Sequence, residues 1–142
     1  MRVTGVLKVK GDAVVTISPD RTLRDLVALL AEHGIGALVV SADGDGVDGI
    51  VSERDVVRRL DAGGADVLDE PVSAIMTTEV FTCEPEATVD ELMAVMTERR
   101  IRHVPVLLDG RIAGIVSIGD VVKHRIAEIQ GERDQLTAYI TG

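Results

Sequence analysis

Apolar and polar positions along the chain predict short buried strands joined by amphipathic helices. Brief apolar runs at 14–17, 37–40 and 49–51 are typical of buried strands. A helix is predicted over 22–33, because apolar residues recur there at helical spacing after a Thr-x-x-Asp start. A second helix begins at Ser52 and ends near 63–64. The first half of the chain therefore has the order β-α-β-β-α.

The second half of the chain repeats this order. Its predicted elements are a strand at 80–83, a helix at 88–99, strands at 103–108 and 111–117, and a final helix. The nine residues that begin at Gly49 return from Gly114 with seven of nine unchanged. Repetition of this length indicates that one structural unit was used twice.

The two copies are offset by 66 residues as far as the middle strands and by 65 from Ser52 and Ser117 onward. The lost residue falls in a turn, since 43–46 is long whereas Asp109-Gly110 is typical of a two-residue hairpin. The sequence thus predicts an α/β (α+β) fold of two pseudo-symmetric β-α-β-β-α repeats packed against each other. The predicted bounds are 10–62 for the first repeat, 63–75 for a connecting segment, 76–126 for the second repeat and 127–142 for a C-terminal helix extension.

One apolar stripe follows the final predicted helix to about residue 140. Its members are Val122, Ile126, Ile129, Leu136 and Ile140. Two interpretations are open: the helix folds back on its own domain, or its end packs against a second subunit. The first nine residues form a lead-in element whose type the sequence leaves undetermined.

Composition narrows the class of protein. Hydrophobic residues make up 46% of the 142 residues, but one Phe, one Tyr and no Trp leave an aliphatic core. A net charge of −9 argues against a nucleic-acid surface, because phosphates would be repelled. Cys83 is the only cysteine, so no internal disulfide forms. Since the sequence shows neither a signal region nor a membrane-spanning run, we expect a soluble cytoplasmic protein.

Each repeat carries Ser-x-x-Asp directly after an apolar strand, as Ser52 with Asp55 and as Ser117 with Asp120. One interpretation is structural, because Ser at the N-cap and an acid three residues later satisfy free N–H groups at a helix start. The other is a binding site, because a carboxylate at a sheet edge accepts hydrogen bonds from adjacent ribose hydroxyls. Two copies at equivalent points favour the binding site.

An ordered set of motifs resembles a known family. These motifs are a Pro-x-x-Thr helix opening, the strand Arg-Ile-Arg-His-Val-Pro-Val from Arg100 to Val106, and the closing Gly-Ile-Val-Ser-x-x-Asp. Together they resemble the cystathionine β-synthase (CBS) domain family, in which two tandem domains form a Bateman module. The resemblance covers about residues 10–126.

The resemblance implies a disc-shaped pseudo-twofold module whose two clefts bind adenosyl ligands such as AMP, ADP, ATP, NAD(H) or S-adenosylmethionine. It implies that Asp55 and Asp120 contact the ribose hydroxyls, with Ser52 and Ser117 beside them. The implied adenine pocket and its surroundings comprise Thr16, Ile17, Ser18, Ala37, Thr82, Cys83, His103 and Pro105. The resemblance also implies that no cofactor is required and that the adenosyl compound acts as a regulatory ligand.

The two predicted sites are unequal. Arg54 and Arg58 lie one helical turn apart beside Asp55, where they either meet a phosphate or form a solvated helix face. Gly119 stands beside Asp120, where it leaves backbone N–H groups accessible or is simply tolerated at a helix start. Two sites of different affinity, or one working and one vestigial site, would follow.

The leading hypothesis is a stand-alone sensor module that binds an adenosyl ligand and passes its occupancy to an unidentified regulated protein. The alternative is a ligand-independent dimerisation or adaptor module whose clefts are filled by side chains such as Arg102 or His103. An enzyme is disfavoured, because the repeats take up the chain and leave no catalytic set. The spacing of the three histidines argues against a zinc site. We expect a homodimer without a nucleic-acid or membrane partner.

Overall fold

The computed structural model describes residues 1–11 and 13–141, so Asp12 of the predicted first repeat and Gly142 of the predicted extension lie outside the described residues. Its elements in order are helix α1 (Val3–Lys10), strand β1 (Thr16–Ile17), helix α2 (Leu23–His33), strands β2 (Ala37–Val40) and β3 (Gly49–Ser52), helix α3 (Glu53–Gly63), two 3₁₀ helices (Ala65–Asp69 and Val72–Ala74), helix α4 (Val89–Arg99), strands β4 (His103–Leu108) and β5 (Arg111–Ser117), and helix α5 (Ile118–Thr141). The predicted α/β fold of two repeats is confirmed.

The helices that open the two repeats begin in the same way. In α2 the Thr22 hydroxyl accepts a hydrogen bond from the Asp25 N–H, and the Asp25 carboxylate accepts one from the Thr22 N–H. Thr88 and Glu91 form the same reciprocal pair at the start of α4. Since each pair satisfies N–H groups that the helix leaves free, these local sequences fix both helix starts.

The two sheets differ in size. In the first repeat β1 lies parallel to β2, and β2 lies antiparallel to β3. In the second repeat β4 and β5 form an antiparallel pair. Their connection is the predicted two-residue turn, because Asp109 and Gly110 both have positive φ angles, of 53° and 78°, as a type I′ hairpin turn requires.

The prediction of a strand at 80–83 is wrong, because only Cys83 of that segment pairs with a neighbouring strand. It forms a single parallel bridge to Val106, with Cys83 N–H 3.0 Å from the carbonyl oxygen of Pro105. The segment just before it is already engaged: Thr77 pairs with Ile50 of β3, and the Val80 N–H donates to Thr78 in a turn. The predicted strand at 14–17 likewise forms only at Thr16–Ile17.

Each repeat has an aliphatic core that is completed by the segment preceding the other repeat. Val67 and Val72 of the 3₁₀ helices belong to the core of the first repeat. The lead-in element, whose type the sequence left undetermined, is helix α1. Its Val3 and Val6 are 0% and 4% exposed in the core of the second repeat. Burying a valine contributes roughly 1.5–3 kcal/mol, so this exchange of segments ties the two halves together.

Helix α5 leaves its apolar stripe uncovered. The five residues of the stripe, Val122 to Ile140 as defined above, are 46% to 74% exposed. The start of α5 packs on its own domain, because Val121 is buried in the core of the second repeat, but this packing does not cover the stripe. The interpretation that the end of the helix packs against a second subunit stays a prediction. Within the described residues, neither α5 nor any other helix combines the length and apolar character that crossing a membrane requires.

Candidate functional site

An open cleft of about 370 Å³ lies between the two repeats, at the junction of β3 and α3. The first repeat contributes Gly36, Ala37, Ile50, Ser52, Glu53, Arg54, Asp55 and Arg58 to its lining. The second half contributes Thr77, Glu79, Val80, Phe81, Arg100, Ile101, Arg102 and His103. Pockets of about 300–1,000 Å³ are typical of small-molecule sites, so this cleft has the size for a small ligand.

Ser52 and Asp55 enter the cleft because β3 passes directly into α3. The Ser52 hydroxyl caps the helix by accepting a hydrogen bond from the Asp55 N–H. Asp55 Oδ2 accepts hydrogen bonds from the Ser52 N–H at 2.8 Å and the Ser52 hydroxyl at 3.1 Å. Both bonds use the same carboxylate oxygen, and Oδ1 accepts no hydrogen bond from the described residues. The capping role therefore leaves one oxygen available for a ligand.

Four arginines line the same cleft as this carboxylate. Arg54 and Arg58 project from α3, while Arg100 and Arg102 come from the turn between α4 and β4. All four are exposed, and none forms an ion pair with another residue of the described chain. Guanidinium groups bind phosphate well, so the cleft offers an anion-binding surface in a chain whose net charge is −9.

Arg100 is held in the left-handed backbone conformation, with φ 55° and ψ 42°, at the end of α4. In the first repeat the equivalent position is Gly34, with φ 62° and ψ 38°. A residue that carries a Cβ is disfavoured in this conformation by roughly 1–2 kcal/mol, whereas glycine is not. The second repeat thus carries an arginine at the cleft where the backbone favours glycine.

Gly36 keeps the cleft open beside His103. A Cβ at Gly36 would lie 3.4 Å from Glu53 Oε1 and 4.0 Å from His103 Cε1, so a longer side chain would extend among the lining residues. Burial is the main cause that lowers the pKa of His103 below its usual value. The imidazole is therefore neutral at physiological pH and presents one donor and one acceptor nitrogen.

The second Ser-x-x-Asp motif does not line this cleft, although Ser117 pairs with the cleft residue His103 in the sheet, and neither Gly119 nor Asp120 is among the lining residues. Asp120 Oδ2 accepts hydrogen bonds from the Ser117 N–H at 2.9 Å and from Lys10 Nζ at 2.6 Å. Burial raises the pKa of Asp120, but the hydrogen bonds from Lys10 and Ser117 outweigh burial and hold that pKa below its usual value. The two motifs share a capping geometry but differ in their surroundings.

The residues predicted for the adenine pocket divide into two groups. Ala37 and His103 line the cleft. The residues that do not line it are Thr16, Ile17, Ser18, Thr82, Cys83 and Pro105. Ile17 lies in the core of the first repeat and Cys83 packs against that of the second, where burial raises the thiol pKa to about 11. A direct role for this second group in binding stays a prediction.

Sequence reasoning missed the contribution of residues 77–81 to the cleft. This segment reaches the cleft because Thr77 exchanges two backbone hydrogen bonds with Ile50, at 2.9 and 3.0 Å. Phe81 is further held under the guanidinium of Arg99, 5.0 Å from the ring centroid. Pairing of this kind depends on tertiary contacts and leaves no periodic pattern in the sequence.

Comparison with known proteins agrees with this architecture. The family model described as CBS domain matches residues 9–62 and 72–127. The chain is 38% identical over 148 residues to the CBS domain-containing protein CBSX3, mitochondrial, of Arabidopsis thaliana, covering 99% of this chain and 72% of that protein.

Solved structures share the fold, and two of them illustrate the similarity. The CBS-domain containing protein ATU1752 from Agrobacterium tumefaciens is 48% identical, with a TM-score of 0.84 over 88% of this chain and 99% of that one. The CBS domain pair of protein MJ0100, solved with 5′-methylthioadenosine and S-adenosyl-L-methionine, is 23% identical, with a TM-score of 0.79 over 90% of this chain and 98% of that one. CBS pairs are generally regulatory modules rather than catalysts. The repeats, the fold and these matches together show that the chain belongs to the CBS domain family, as a pair of CBS domains.

Proposed function

We propose that this CBS pair is a sensor that binds an adenosyl ligand in the cleft of Asp55 and passes its occupancy to a regulated protein. The observation that carries the proposal is an open cleft in which a carboxylate with one available oxygen stands among four exposed arginines. The carboxylate oxygen can accept hydrogen bonds from ribose hydroxyls, and the arginines can bind a phosphate. The adenosyl compounds bound by the MJ0100 pair support this class of ligand.

The charges in the cleft favour a nucleotide that carries phosphate. Its four arginines exceed the three acids that also line it, which are Glu53, Asp55 and Glu79. AMP, ADP, ATP and NAD present anionic phosphates, whereas S-adenosylmethionine offers the guanidinium groups a single carboxylate and also carries ammonium and sulfonium cations, which they repel. We therefore rank ATP and ADP first among the ligands for this chain, with no separate cofactor.

The adaptor alternative is less well supported. It requires side chains such as Arg102 or His103 to fill the cleft, but both residues line its wall and leave about 370 Å³ of space. A ligand in this space would touch both repeats, because Asp55 belongs to the first and His103 to the second. Differential binding to two arrangements of the repeats is the means by which occupancy would reach a partner.

We also propose that the chain forms a homodimer through the exposed stripe of α5. Five large apolar side chains on one face of a helix are unusual on the surface of a small protein, and a twofold contact covers such a face in both copies. A cytoplasmic location is part of the same proposal, although the Arabidopsis relative is named as mitochondrial.

Calorimetric titration of nucleotide-free protein with ATP, ADP, AMP, NAD and S-adenosylmethionine tests the proposed function. We expect binding of the phosphate-bearing nucleotides in order of their charge, with ATP the tightest. Absence of heat and of any thermal stabilisation with all five compounds at millimolar concentration would overturn it. Tighter binding of S-adenosylmethionine than of ATP would retain a sensor but reject the role given to the arginines.

Replacing Arg54 by alanine should weaken ATP and ADP binding roughly 2- to 5-fold and leave adenosine binding nearly unchanged, because an exposed charged contact contributes at most about 1 kcal/mol. Raising the salt concentration should produce a parallel loss for ATP in the wild type, since exposed charges are screened within about 10 Å at 0.1 M salt. Titrations with the three ligands measure this. Equal losses for all three would show that Arg54 does not contact phosphate.

Replacing Arg100 by glycine should separate stability from binding. Relief of the left-handed backbone should raise stability by up to about 1 kcal/mol, or about 2–4 °C in Tm, while ATP affinity falls 3- to 10-fold. The matched variant Arg100→Ala removes the same side chain but keeps the Cβ, so it should lose affinity without gaining stability. Thermal unfolding and titration report the two effects, and unchanged ATP affinity in both variants would remove Arg100 from the site.

A further inference from the structure

Lys10, at the end of α1, donates hydrogen bonds to two groups beside the second Ser-x-x-Asp motif. Its Nζ lies 2.6 Å from Asp120 Oδ2 and 2.8 Å from the carbonyl oxygen of Ile115. Ile115 lies in β5, and Asp120 lies in the first turn of α5, so the ammonium spans the junction of this strand and helix. In the first repeat the equivalent junction of β3 and α3 forms the open cleft.

The first repeat makes the corresponding contact without a charge. The carbonyl of Ile50, which is equivalent to that of Ile115, accepts its hydrogen bond from the Thr77 backbone N–H. With the offset of 66 residues, Lys10 corresponds to Met76. The Met76 sulfur lies 2.9 Å from where a Cβ at Gly49 would stand, so Met76 packs on β3. Asp55 is consequently left without an ammonium partner among the described residues.

Helix α1 holds Lys10 firmly in this position. Val3 and Val6 are buried in the core of the second repeat, and the Val3 N–H donates to the carbonyl of Ala87 at 2.8 Å. The Leu7 side chain lies against β5, where a Cβ at Gly114 would come within 2.6 Å of it. The ammonium is therefore presented by an anchored helix rather than by a free chain end.

We propose that Lys10 is an internal competitor for the second ribose carboxylate, so that each chain binds a single adenosyl ligand, at Asp55. The inference rests on the proposed function. The Lys10 ammonium brings a full positive charge to the carboxylate, whereas a ribose hydroxyl is a neutral donor, and the lysine is already in place. A nucleotide would have to displace Lys10 before it reached Asp120. Removal of the ammonium therefore opens a second, latent site of the same ligand class.

Calorimetry with ATP on the full chain tests this inference through stoichiometry. Wild-type protein should bind one ATP per chain, and Lys10→Ala should bind a second, weaker equivalent. The double variant Lys10→Ala/Asp120→Ala should return to one. Lys8→Ala is the matched control, since Lys8 is an exposed lysine of the same helix that forms no ion pair within the described chain, and it should behave as the wild type.

The outcomes separate this inference from the function on which it rests. Two ATP molecules per wild-type chain, or one per chain in Lys10→Ala, would overturn the competitor role while leaving the Asp55 site intact. A second equivalent that survives in the double variant would overturn it as well. If the wild type binds no ATP but Lys10→Ala binds one that the Asp120 substitution abolishes, the competitor role holds and the Asp55 site is wrong.

Discussion

Replacing Asp55 by alanine is expected to reduce ATP affinity about ten- to hundredfold. The available oxygen of this carboxylate would accept hydrogen bonds from the ribose, and hydrogen bonds to a charged group contribute about 1.5–3 kcal/mol. Asp55→Asn keeps the volume but turns part of the acceptor into a donor, so a similar loss is expected. Isothermal titration with ATP measures both variants.

Asp120→Ala supplies the matched control, because Asp120 has the same capping geometry but does not line the cleft. Both alanine variants lose the acid of a capping box and with it a hydrogen bond from the serine N–H, which lowers stability by about 1 kcal/mol. Only Asp55→Ala should lose affinity, and Asp120→Ala should stay within about twofold of the wild type. If Asp55→Ala merely lowers Tm and binds ATP normally, the motif is a cap and not a ribose site.

Local features of the fold were predictable because short segments determine them. The capping pairs at Thr22 and Thr88 and the hairpin turn at Asp109-Gly110 each depend on neighbouring residues. The segment at 80–83 was misjudged for the opposite reason. Its apolar residues are typical of a strand. However, Thr77 just before it pairs with the distant residue Ile50, and the backbone that follows forms no strand at 80–83.

The candidate site was also predictable where it depends on local sequence and unpredictable where it depends on distant contacts. The internal repeat indicated both Ser-x-x-Asp motifs, and the arginines beside Asp55 distinguished the first from the second. The repeat did not indicate that Lys10, which is 110 residues from Asp120, would occupy the second carboxylate. Equivalence within a repeat predicts equivalent backbones, whereas accessibility depends on the segments that pack on each repeat.

The position of the cleft between the two repeats determines how a ligand would be sensed. The cleft is walled by β3 and α3 of the first repeat and by residues before β4 of the second. A nucleotide held by Asp55 on one side and by Arg100 on the other would resist separation of the repeats. Its binding energy would therefore favour the arrangement in which the two sides are correctly spaced.

Truncating the chain after Gly131 is expected to weaken a dimer at least a hundredfold while ATP binding is retained. It removes Leu136 and Ile140, which are 61% and 74% exposed on the stripe of α5. Burying an isoleucine or leucine contributes roughly 1.5–3 kcal/mol, and a twofold interface loses each side chain twice. A hundredfold change requires only about 3 kcal/mol, so even partial burial of these residues is sufficient.

Light scattering coupled to gel filtration at micromolar concentration measures this effect. The double variant Leu136→Asp/Ile140→Asp should dissociate like the truncated chain, because charged groups on the stripe would have to be buried. Asp134→Ala, on a different face of the same helix, is the matched control and should leave the dimer unchanged. A monomeric intact chain would contradict the dimer, and a dimer that survives both changes would place the interface on another surface. The retained ATP affinity of the truncated chain would in turn show that the cleft forms without the end of α5, since its lining residues all precede residue 104.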